Sequence, residues 1–241
     1  MLRRFLLLFY TLLLSNALLA SAFLPVVSNY SPFDYGAGLQ NWDISQAPDG
    51  LMFFGNNAGL LSYDGYNWDL TRMPSGQKAR SCKVVGKRVY VGCFQEFGYF
   101  ERDKFGRFIY HSLWKSLKNY RPHNDEIWNI IEAPNGHILF QSFCSWFDYD
   151  GHTVTAHYDG KHLPLYFFRV GNEVWAQLIG DGLYKLKGNL YEPLVNRADL
   201  GNDDVVSVLA LDAHRQLLVT SEHGLYVLAN GQLSSFANTL T

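Results

Sequence analysis

The feature that most constrains the fold is a unit that recurs five times along the chain. Each unit contains a five-residue apolar run, and the runs LMFFG, RVYVG, HILFQ, EVWAQ and QLLVT begin at Leu51, Arg88, His137, Glu173 and Gln216. Successive runs start 37, 49, 36 and 43 residues apart. Turn pairs such as Asp49-Gly50 and Asn135-Gly136 separate short β-branched and aromatic segments. Because such pairs are typical of β-hairpins, the pattern excludes a helical solenoid.

Four short strands in a unit of roughly 40 to 50 residues match a β-propeller blade. We therefore predict an all-β chain with about five four-stranded blades, at approximately residues 41–75, 80–115, 127–160, 165–195 and 205–241. An array whose last blade does not pair with its first leaves two apolar faces exposed. We expect these units to belong to a larger propeller, and the alternative is that they close as a small five-bladed ring.

The N-terminus has the features of an export signal. Arg3 and Arg4 precede an apolar run over residues 5–20, and Ala20-Ser21-Ala22 supplies the small residues of a cleavage site. We predict a signal peptide over residues 1–22 and a periplasmic mature chain that begins at Phe23. A membrane anchor is the alternative, but the run is shorter than the roughly 20 apolar residues of a spanning helix.

Composition narrows the possible partners. Lys plus Arg number 20 and Asp plus Glu 22, so the formal charge of -2 disfavours contact with a nucleic acid. Three cysteines are too few for a disulfide framework. Cys82 and Cys93 flank a predicted hairpin, which leaves a disulfide open as a possibility, although two buried small side chains are favoured. The chain lacks metal-ligand spacing, and we expect neither a metal nor another cofactor.

Several segments resemble a known family in order as well as in motif. These are NYSPFDYGAGLQNWDISQAPDGLMFFGNNAGLLSYDG, GCFQEFGYFERD, NDEIWNI and IGDGLYKLKG. They are similar to the periplasmic sensor region of two-component-regulator propeller proteins, in particular triple-tyrosine regulators with a LuxR-type helix-turn-helix output, and also to hybrid two-component sensors. The resemblance implies an extracytoplasmic propeller, a triple-tyrosine β-sandwich, a membrane helix, a cytoplasmic output module and a homodimeric full-length sensor. Since the sequence stops after the fifth unit, we expect an N-terminal portion of such a sensor, truncated before its membrane and output modules.

An enzymatic role needs a constellation of reactive groups, and the sequence offers only weak candidates. Asp125-Glu126 and Asp203-Asp204 are paired carboxylates of the kind that glycosidases use. However, adjacent residues of a strand point to opposite faces, and in a loop they are usually solvated. We therefore expect no catalytic residues and no enzymatic activity.

A binding role has more support. In a propeller, the loops that lead into each innermost strand and the turns between second and third strands share one face. On that face we place Asn41, Trp42, Asn56, Asn57, Arg80, Gln95, Glu96, Trp128, Phe143, Trp146, Arg169, Asp181, Glu222 and His223. The predicted ligand-binding residues are Asn57, Arg80, Gln95, Glu96, Trp128, Trp146, Arg169, Asp181, Glu222 and His223.

Polar and charged groups beside indole rings suit sugar recognition, because hydroxyls need directed hydrogen bonds and C–H faces stack on aromatic rings. The alternative is that Trp42 and Trp128 belong to the core between blades and that the polar groups cap strand ends. Two functions follow from the binding interpretation. The first is a sensor that binds a glycan or oligosaccharide, and the second is a secreted carbohydrate-binding or carbohydrate-active propeller protein.

Overall fold

The computed structural model describes residues 27–74 and 76–236. The predicted signal peptide lies outside the described residues. Contacts divide the chain into two units, Met1–Ser31 and Pro32–Thr241. The second unit contains a short helix and five sheets, whereas residues 27–31 of the first form no helix or strand. None of the helices in the described part is long and apolar enough to cross a membrane.

Helix α1 (Pro32–Tyr35) precedes five four-stranded antiparallel sheets, each formed by consecutive strands. Blade 1 comprises β1 (Asn41–Gln46), β2 (Met52–Asn56), β3 (Gly59–Tyr63) and β4 (Trp68–Thr71). Blade 2 comprises β5 (Ser81–Val85), β6 (Arg88–Cys93), β7 (Glu96–Arg102) and β8 (Phe108–Ser112). Blade 3 comprises β9 (Asn129–Glu132), β10 (Ile138–Gln141), β11 (Trp146–Tyr149) and β12 (Val154–His157). Blade 4 comprises β13 (Pro164–Val170), β14 (Glu173–Leu178), β15 (Leu183–Lys187) and β16 (Leu190–Val195), and blade 5 comprises β17 (Val205–Ala210), β18 (Arg215–Thr220), β19 (Leu225–Ala229) and β20 (Gln232–Ser235). The prediction of an all-β chain with five four-stranded blades is confirmed.

The blades pack in sequence order through their innermost strands. Strand β1 lies against β5, β5 against β9, β9 against β13, and β13 against β17. Four hydrophobic clusters fill the seams between successive blades. Polar side chains on the innermost strands also bond across three of these seams. Asp43 accepts a hydrogen bond from the backbone N–H of Cys82, the Ser81 hydroxyl donates to the carbonyl of Ile127, and the Asn129 amide donates to the carbonyl of Phe167, each at 2.9 Å.

Both cysteines of the predicted hairpin are buried and free. Cys82 pairs with Val91 across the hairpin rather than with Cys93, so the register separates the two sulfurs. Burial raises the pKa of the Cys93 thiol to about 12, which keeps it protonated at neutral pH. The interpretation of two buried small side chains is confirmed, and the disulfide alternative is wrong for this structure.

The outward faces of the first and last blades remain partly open. Ile44 on β1 points away from blade 2, since its neighbours Asp43 and Ser45 bond to β5, and its side chain is 57% exposed. Leu209 on β17 points away from blade 4 and is 53% exposed. In the described part of the chain, none of the four hydrophobic clusters joins blade 5 to blade 1.

Because this apolar surface is open to solvent, the chain from Phe23 onward is expected to bind a hydrophobic dye in its folded state. Replacing Leu209 with serine should lower dye fluorescence and change the free energy of unfolding by less than about 0.5 kcal/mol. The matched control is Leu218→Ser in the same blade. Leu218 is fully buried, so that variant should lose about 3 kcal/mol and bind more dye. A wild-type chain that binds no dye would contradict the prediction.

Candidate functional site

One end of the blades collects the polar and aromatic side chains that the sequence analysis singled out. All five innermost strands begin at this end, and each second strand turns into the third there. We call it the upper face. The hairpins between first and second strands lie at the opposite end, the lower face.

At the upper face, Arg80 lies between two tryptophans. Its guanidinium carbon is 4.1 Å from the ring centre of Trp42 and 5.1 Å from that of Trp128. The two indoles meet edge to face at 5.8 Å, and Phe143 stacks on Trp128 at 5.7 Å. We call Trp42, Arg80, Trp128 and Phe143 the upper cluster. Cation–π contacts of this kind contribute about 0.5 to 2 kcal/mol each.

The strand register explains why these residues meet. The backbone N–H groups of Ala79 and Ile127 each donate a hydrogen bond to the end of the preceding blade's second strand. The residues that follow them, Arg80 and Trp128, therefore occupy equivalent positions in blades 2 and 3. Trp42 and Trp128 are equivalent in turn, because each lies five residues before the alanine of an Ala-Pro turn. Three successive blades thus present Trp, Arg and Trp at one position, and adjacency of the blades brings the three side chains into contact.

Asn57 and Glu126 hold the cluster from either side. The Trp42 indole N–H donates to the Asn57 side-chain oxygen at 2.7 Å. The Arg80 Nε donates to Glu126 at 2.5 Å, which pairs a largely buried guanidinium with a carboxylate of the next blade. Trp42 keeps 39% of its surface exposed, so a ring face or edge is available to a ligand.

Several buried polar atoms near this cluster lack partners. Within residues 27–74 and 76–236, the buried side-chain atoms without a hydrogen bond include Gln77 Oε1, Arg80 Nη1 and Gln141 Oε1. These three lie around the upper cluster. The Gln77 side-chain amide donates a hydrogen bond to the backbone carbonyl of Phe94. Phe94 in turn forms an isolated β-bridge with Glu126, whose carboxylate accepts a hydrogen bond from Arg80. The backbone carbonyl of Gln141 accepts a hydrogen bond from the backbone N–H of Trp128. Leaving such atoms unpaired costs about 1 to 3 kcal/mol each, so water or a ligand is expected to satisfy them.

Gln141 shows why one of these atoms is unpaired. Gln177 occupies the same position in blade 4, and its side-chain oxygen accepts the backbone N–H of Val205, the first residue of the next innermost strand. The corresponding residue after blade 3 is Pro164, which has no N–H to donate. The Gln141 amide nitrogen still donates to the carbonyls of Pro164 and Leu165. The Gln141 side-chain oxygen is consequently left without a donor.

The paired carboxylates act as structural links. Asp125 accepts the Ser142 hydroxyl of its own blade at 2.8 Å, and Asp203 accepts the backbone N–H groups of Glu222 and His223 at 2.7 and 2.8 Å. Burial alone would raise the pKa of Asp203. The hydrogen bonds from the Ser221 hydroxyl and from those two N–H groups outweigh that effect and hold its pKa well below the ordinary range. In each pair, the carboxylate of the first acid is therefore hydrogen-bonded within its own blade.

The second acid of each pair is also engaged. Glu126 bonds Arg80, and Asp204 bonds Arg197 at 3.1 Å and the Gln177 amide at 3.2 Å. Every one of the four carboxylates thus has a protein partner. In the described part of the chain, no three His, Cys, Asp or Glu side chains converge as metal ligands would.

The structure brings together three of the ten predicted ligand-binding residues, namely Asn57, Arg80 and Trp128. Trp42 and Phe143 join them. Gln95, Asp181, Glu222 and His223 lie at the upper face in other turns, where their backbone or side-chain groups fasten those turns. Asn41 and Asn56 hydrogen-bond to each other within blade 1.

The remaining three predicted residues do not join the upper cluster. Glu96 accepts the hydroxyls of Tyr110 and Ser112 at 3.0 and 2.7 Å, on the outer side of blade 2. Trp146 is buried in the seam between blades 3 and 4, with only 4% of its surface exposed. Arg169 lies at the lower face, and its placement on the upper face was wrong. It is the next-to-last residue of β13, with Val170 between it and the Gly171-Asn172 turn, and it contacts Glu132 at 3.4 Å.

Sequence reasoning missed the connecting role of Gln141 and Gln177. A signal was present, since both glutamines hold the last position of their aligned runs, HILFQ and EVWAQ. The recurrence of a two-acid pair before the innermost strands of blades 3 and 5 was a second signal, and it marks a structural link.

Comparisons with known proteins agree with this architecture. Neither a family model nor a curated protein matches the chain. Among solved structures, the extracellular domain of the hybrid two-component system BT3049 of B. thetaiotaomicron is 15% identical, with a TM-score of 0.59 over 92% of this chain and 30% of that chain. The Cps50 (Swd1) β-propeller domain of Myceliophteria thermophila is 10% identical, with a TM-score of 0.59 over 83% of this chain and 72% of that one.

Virginiamycin B lyase of Staphylococcus aureus is 11% identical, with a TM-score of 0.60 over 83% of this chain and 70% of that one. At such low identities the likeness shows the fold alone. The fold is a β-propeller, and it is one that sensors and enzymes share.

Proposed function

We propose that this chain is the ligand-sensing propeller of an exported, signal-transducing transcriptional regulator, and that its upper cluster binds a glycan or oligosaccharide. The observation that carries the proposal is the Trp42–Arg80–Trp128 arrangement beside unpaired donor and acceptor atoms. The similarity in fold to an extracellular sensor domain is consistent with it.

The chemistry of the cluster favours a hydroxylated ligand. Its unpaired atoms include two amide oxygens, which need donors, and a guanidinium N–H, which needs an acceptor. A hydroxyl group is both donor and acceptor, so a sugar or the water that it replaces satisfies both kinds of atom. The exposed part of the Trp42 indole offers a surface on which the C–H face of a sugar ring can stack.

The charge of the cluster favours a neutral glycan. The Arg80 charge is balanced by Glu126, and the carboxylates of Asp43 and Asp125 lie on the adjoining strands and loops. An anionic ligand would find no free cation in the cluster. In a full-length homodimeric sensor, a ligand at this face would shift the equilibrium between two conformational states. The size of the shift is set by the difference between the ligand's affinities for the two states.

Replacing Trp42 with alanine tests the proposal directly. Titrating xylotriose, cellotriose and mannotriose into the chain from Phe23 onward by calorimetry should give one binding isotherm, and Trp42→Ala should weaken that binding at least tenfold. The indole is partly exposed and belongs to none of the four hydrophobic clusters, so the variant should remain folded. The matched control is Tyr66→Ala, which removes an exposed aromatic ring far along blade 1 and should leave the affinity unchanged.

The proposal fails if no neutral oligosaccharide binds at millimolar concentration, or if Trp42→Ala binds as tightly as the wild type. The alternative, a secreted carbohydrate-active protein, predicts that the bound oligosaccharide is cleaved. Chromatography of the titration mixture after prolonged incubation distinguishes the two, because a sensor returns its ligand intact.

A further inference from the structure

A cavity, distinct from the upper cluster, opens at the outer edge of the seam between blades 3 and 4. Its volume is about 250 Å³. His157, Tyr158, Asp159 and His162 line it from the end of β12 and the loop that follows, and Asn189 and Tyr191 line it from blade 4. We call it the seam cavity. Pockets that hold drug-sized molecules begin at roughly 300 Å³, so the seam cavity fits a ligand of a single ring.

The aromatic rings around the seam cavity have one face covered by histidines. His157 stacks on Trp146 at 3.8 Å, and His162 stacks on Tyr191 at 5.2 Å. His123 stacks on Tyr158 at 3.6 Å. An aromatic cage for a quaternary ammonium ion needs open ring faces directed at the cation. Imidazoles already occupy such faces here, so the seam cavity is poorly suited to a cationic amine.

The one carboxylate of the seam cavity is already bonded. Asp159 accepts hydrogen bonds from the His162 ring at 2.6 Å and from the backbone N–H groups of Lys161 and His162, both at 2.8 Å. Burial raises its pKa, but these hydrogen bonds together outweigh that effect and lower the pKa to about 2. Asp159 is therefore ionised at neutral pH and engaged by three donors, which leaves it little capacity to bind a further cation.

The groups left for a ligand are neutral. The Tyr191 hydroxyl is buried beside the Trp146 indole N–H, and its own proton has no acceptor among the described residues. The Asn189 amide offers two donors and an acceptor. Burial lowers the pKa of His157, so its imidazole is neutral and offers one donor and one acceptor. Neutral donors and acceptors in a small, mostly polar cavity match the hydroxyls of an uncharged ring.

From this geometry we propose that the seam cavity binds one ring of a neutral sugar or a comparable cyclic polyol, with Tyr191 and Asn189 as its hydrogen-bonding residues. This site goes beyond the proposed function, since it lies at the outer edge of the blades and shares no residue with the upper cluster. A ligand there touches side chains of both blade 3 and blade 4. Its binding therefore stabilises the seam, and above the Kd this stabilisation grows with the logarithm of the ligand concentration.

The test combines thermal melts with ligand-observed NMR on the chain from Phe23 onward. Galactose, glucose, xylose and myo-inositol are each added up to tens of millimolar, and glycine betaine serves as the cationic probe. At least one of the four neutral rings should raise the melting temperature and give saturation-transfer signals. Tyr191→Phe and Asn189→Ala should each weaken that ring's affinity about fivefold or more.

Two controls separate this site from the upper cluster and from misfolding. Trp42→Ala should keep the response to the single ring, even though it loses the response to trisaccharides. Tyr191→Phe removes a buried hydroxyl whose proton has no acceptor and whose one neighbouring donor is the Trp146 indole, so without ligand its melting temperature should stay close to that of the wild type.

The proposal is overturned if no neutral ring binds, if only glycine betaine binds, or if Trp42→Ala abolishes the single-ring response. The first two outcomes leave the upper cluster and its oligosaccharide untouched. The third assigns all binding to the upper cluster. If trisaccharides bind but no single ring binds at the seam cavity, this proposal is therefore rejected and the proposed function is not.

Discussion

The free energy of unfolding is expected to fall by about 4 kcal/mol when Phe97 is replaced by alanine. Phe97 is fully buried at the centre of the seam between blades 2 and 3. Its ring stacks on Phe140 of the next blade at 4.4 Å and lies 4.9 Å from Phe147. Removing the ring leaves a cavity that the rigid strands on both sides cannot fill. The loss of stability should therefore lie near the upper end of the range observed for core substitutions.

The measurement is urea denaturation followed by tryptophan fluorescence. The matched control is Phe105→Ala, because Phe105 is 70% exposed at a hairpin tip of the same blade and its loss should cost less than about 0.5 kcal/mol. Equal losses in the two variants would contradict the packing of blade 2 against blade 3. A denaturation midpoint that falls with an unchanged slope would show that the blades still unfold as one unit.

Asparagine in place of Asp203 is expected to lower the free energy of unfolding by about 3 kcal/mol at pH 7. The carboxylate accepts the backbone N–H groups of Asp204, Glu222 and His223 at 2.7 to 2.8 Å, as well as the Ser221 hydroxyl. An amide has only one oxygen, and its NH₂ group would face donors that need an acceptor. The turn between β18 and β19 would then lose its attachment to the loop that enters blade 5.

The same substitution should change the dependence of stability on pH. The folded-state pKa of Asp203 lies below its unfolded value of about 3.9. Its contribution is therefore complete above that value and is lost as the pH falls toward the folded-state pKa. Wild-type stability should drop as the pH falls from about 4 to about 2, and the drop should be smaller for Asp203→Asn.

Asp212→Asn is the control for this experiment. Asp212 also has a lowered pKa, because backbone and side-chain hydrogen bonds from His214 and Arg215 hold its carboxylate, but it lies in an exposed turn. Its replacement should have a much smaller effect on stability. If Asp203→Asn and Asp212→Asn have the same denaturation midpoint at pH 7, the link between the two loops of blade 5 does not contribute as proposed.

Much of the architecture could be predicted from the sequence because it is local. Recurring apolar and aromatic runs identified the strands, and Asx-Gly or Gly-Asn pairs identified the hairpins that join them. The candidate site was predicted only in part. Asn57, Arg80 and Trp128 were expected on one face and do meet at the upper cluster. Arg169 was misplaced, since the turn that follows it directs the end of β13 to the lower face.

The sequence alone determined the five units, the four strands of each and the residue types at their turns, because these depend on neighbours a few positions apart. The tertiary structure decided which side chains of different blades meet. Trp42, Arg80 and Trp128 are distant in the chain, and they converge because successive blades repeat one register. Likewise, Trp146 is buried because blade 4 packs over it, and Gln141 lacks a donor because Pro164 stands where blade 5 has Val205. Contacts of this kind depend on the packing of whole sheets, which no short stretch of sequence contains.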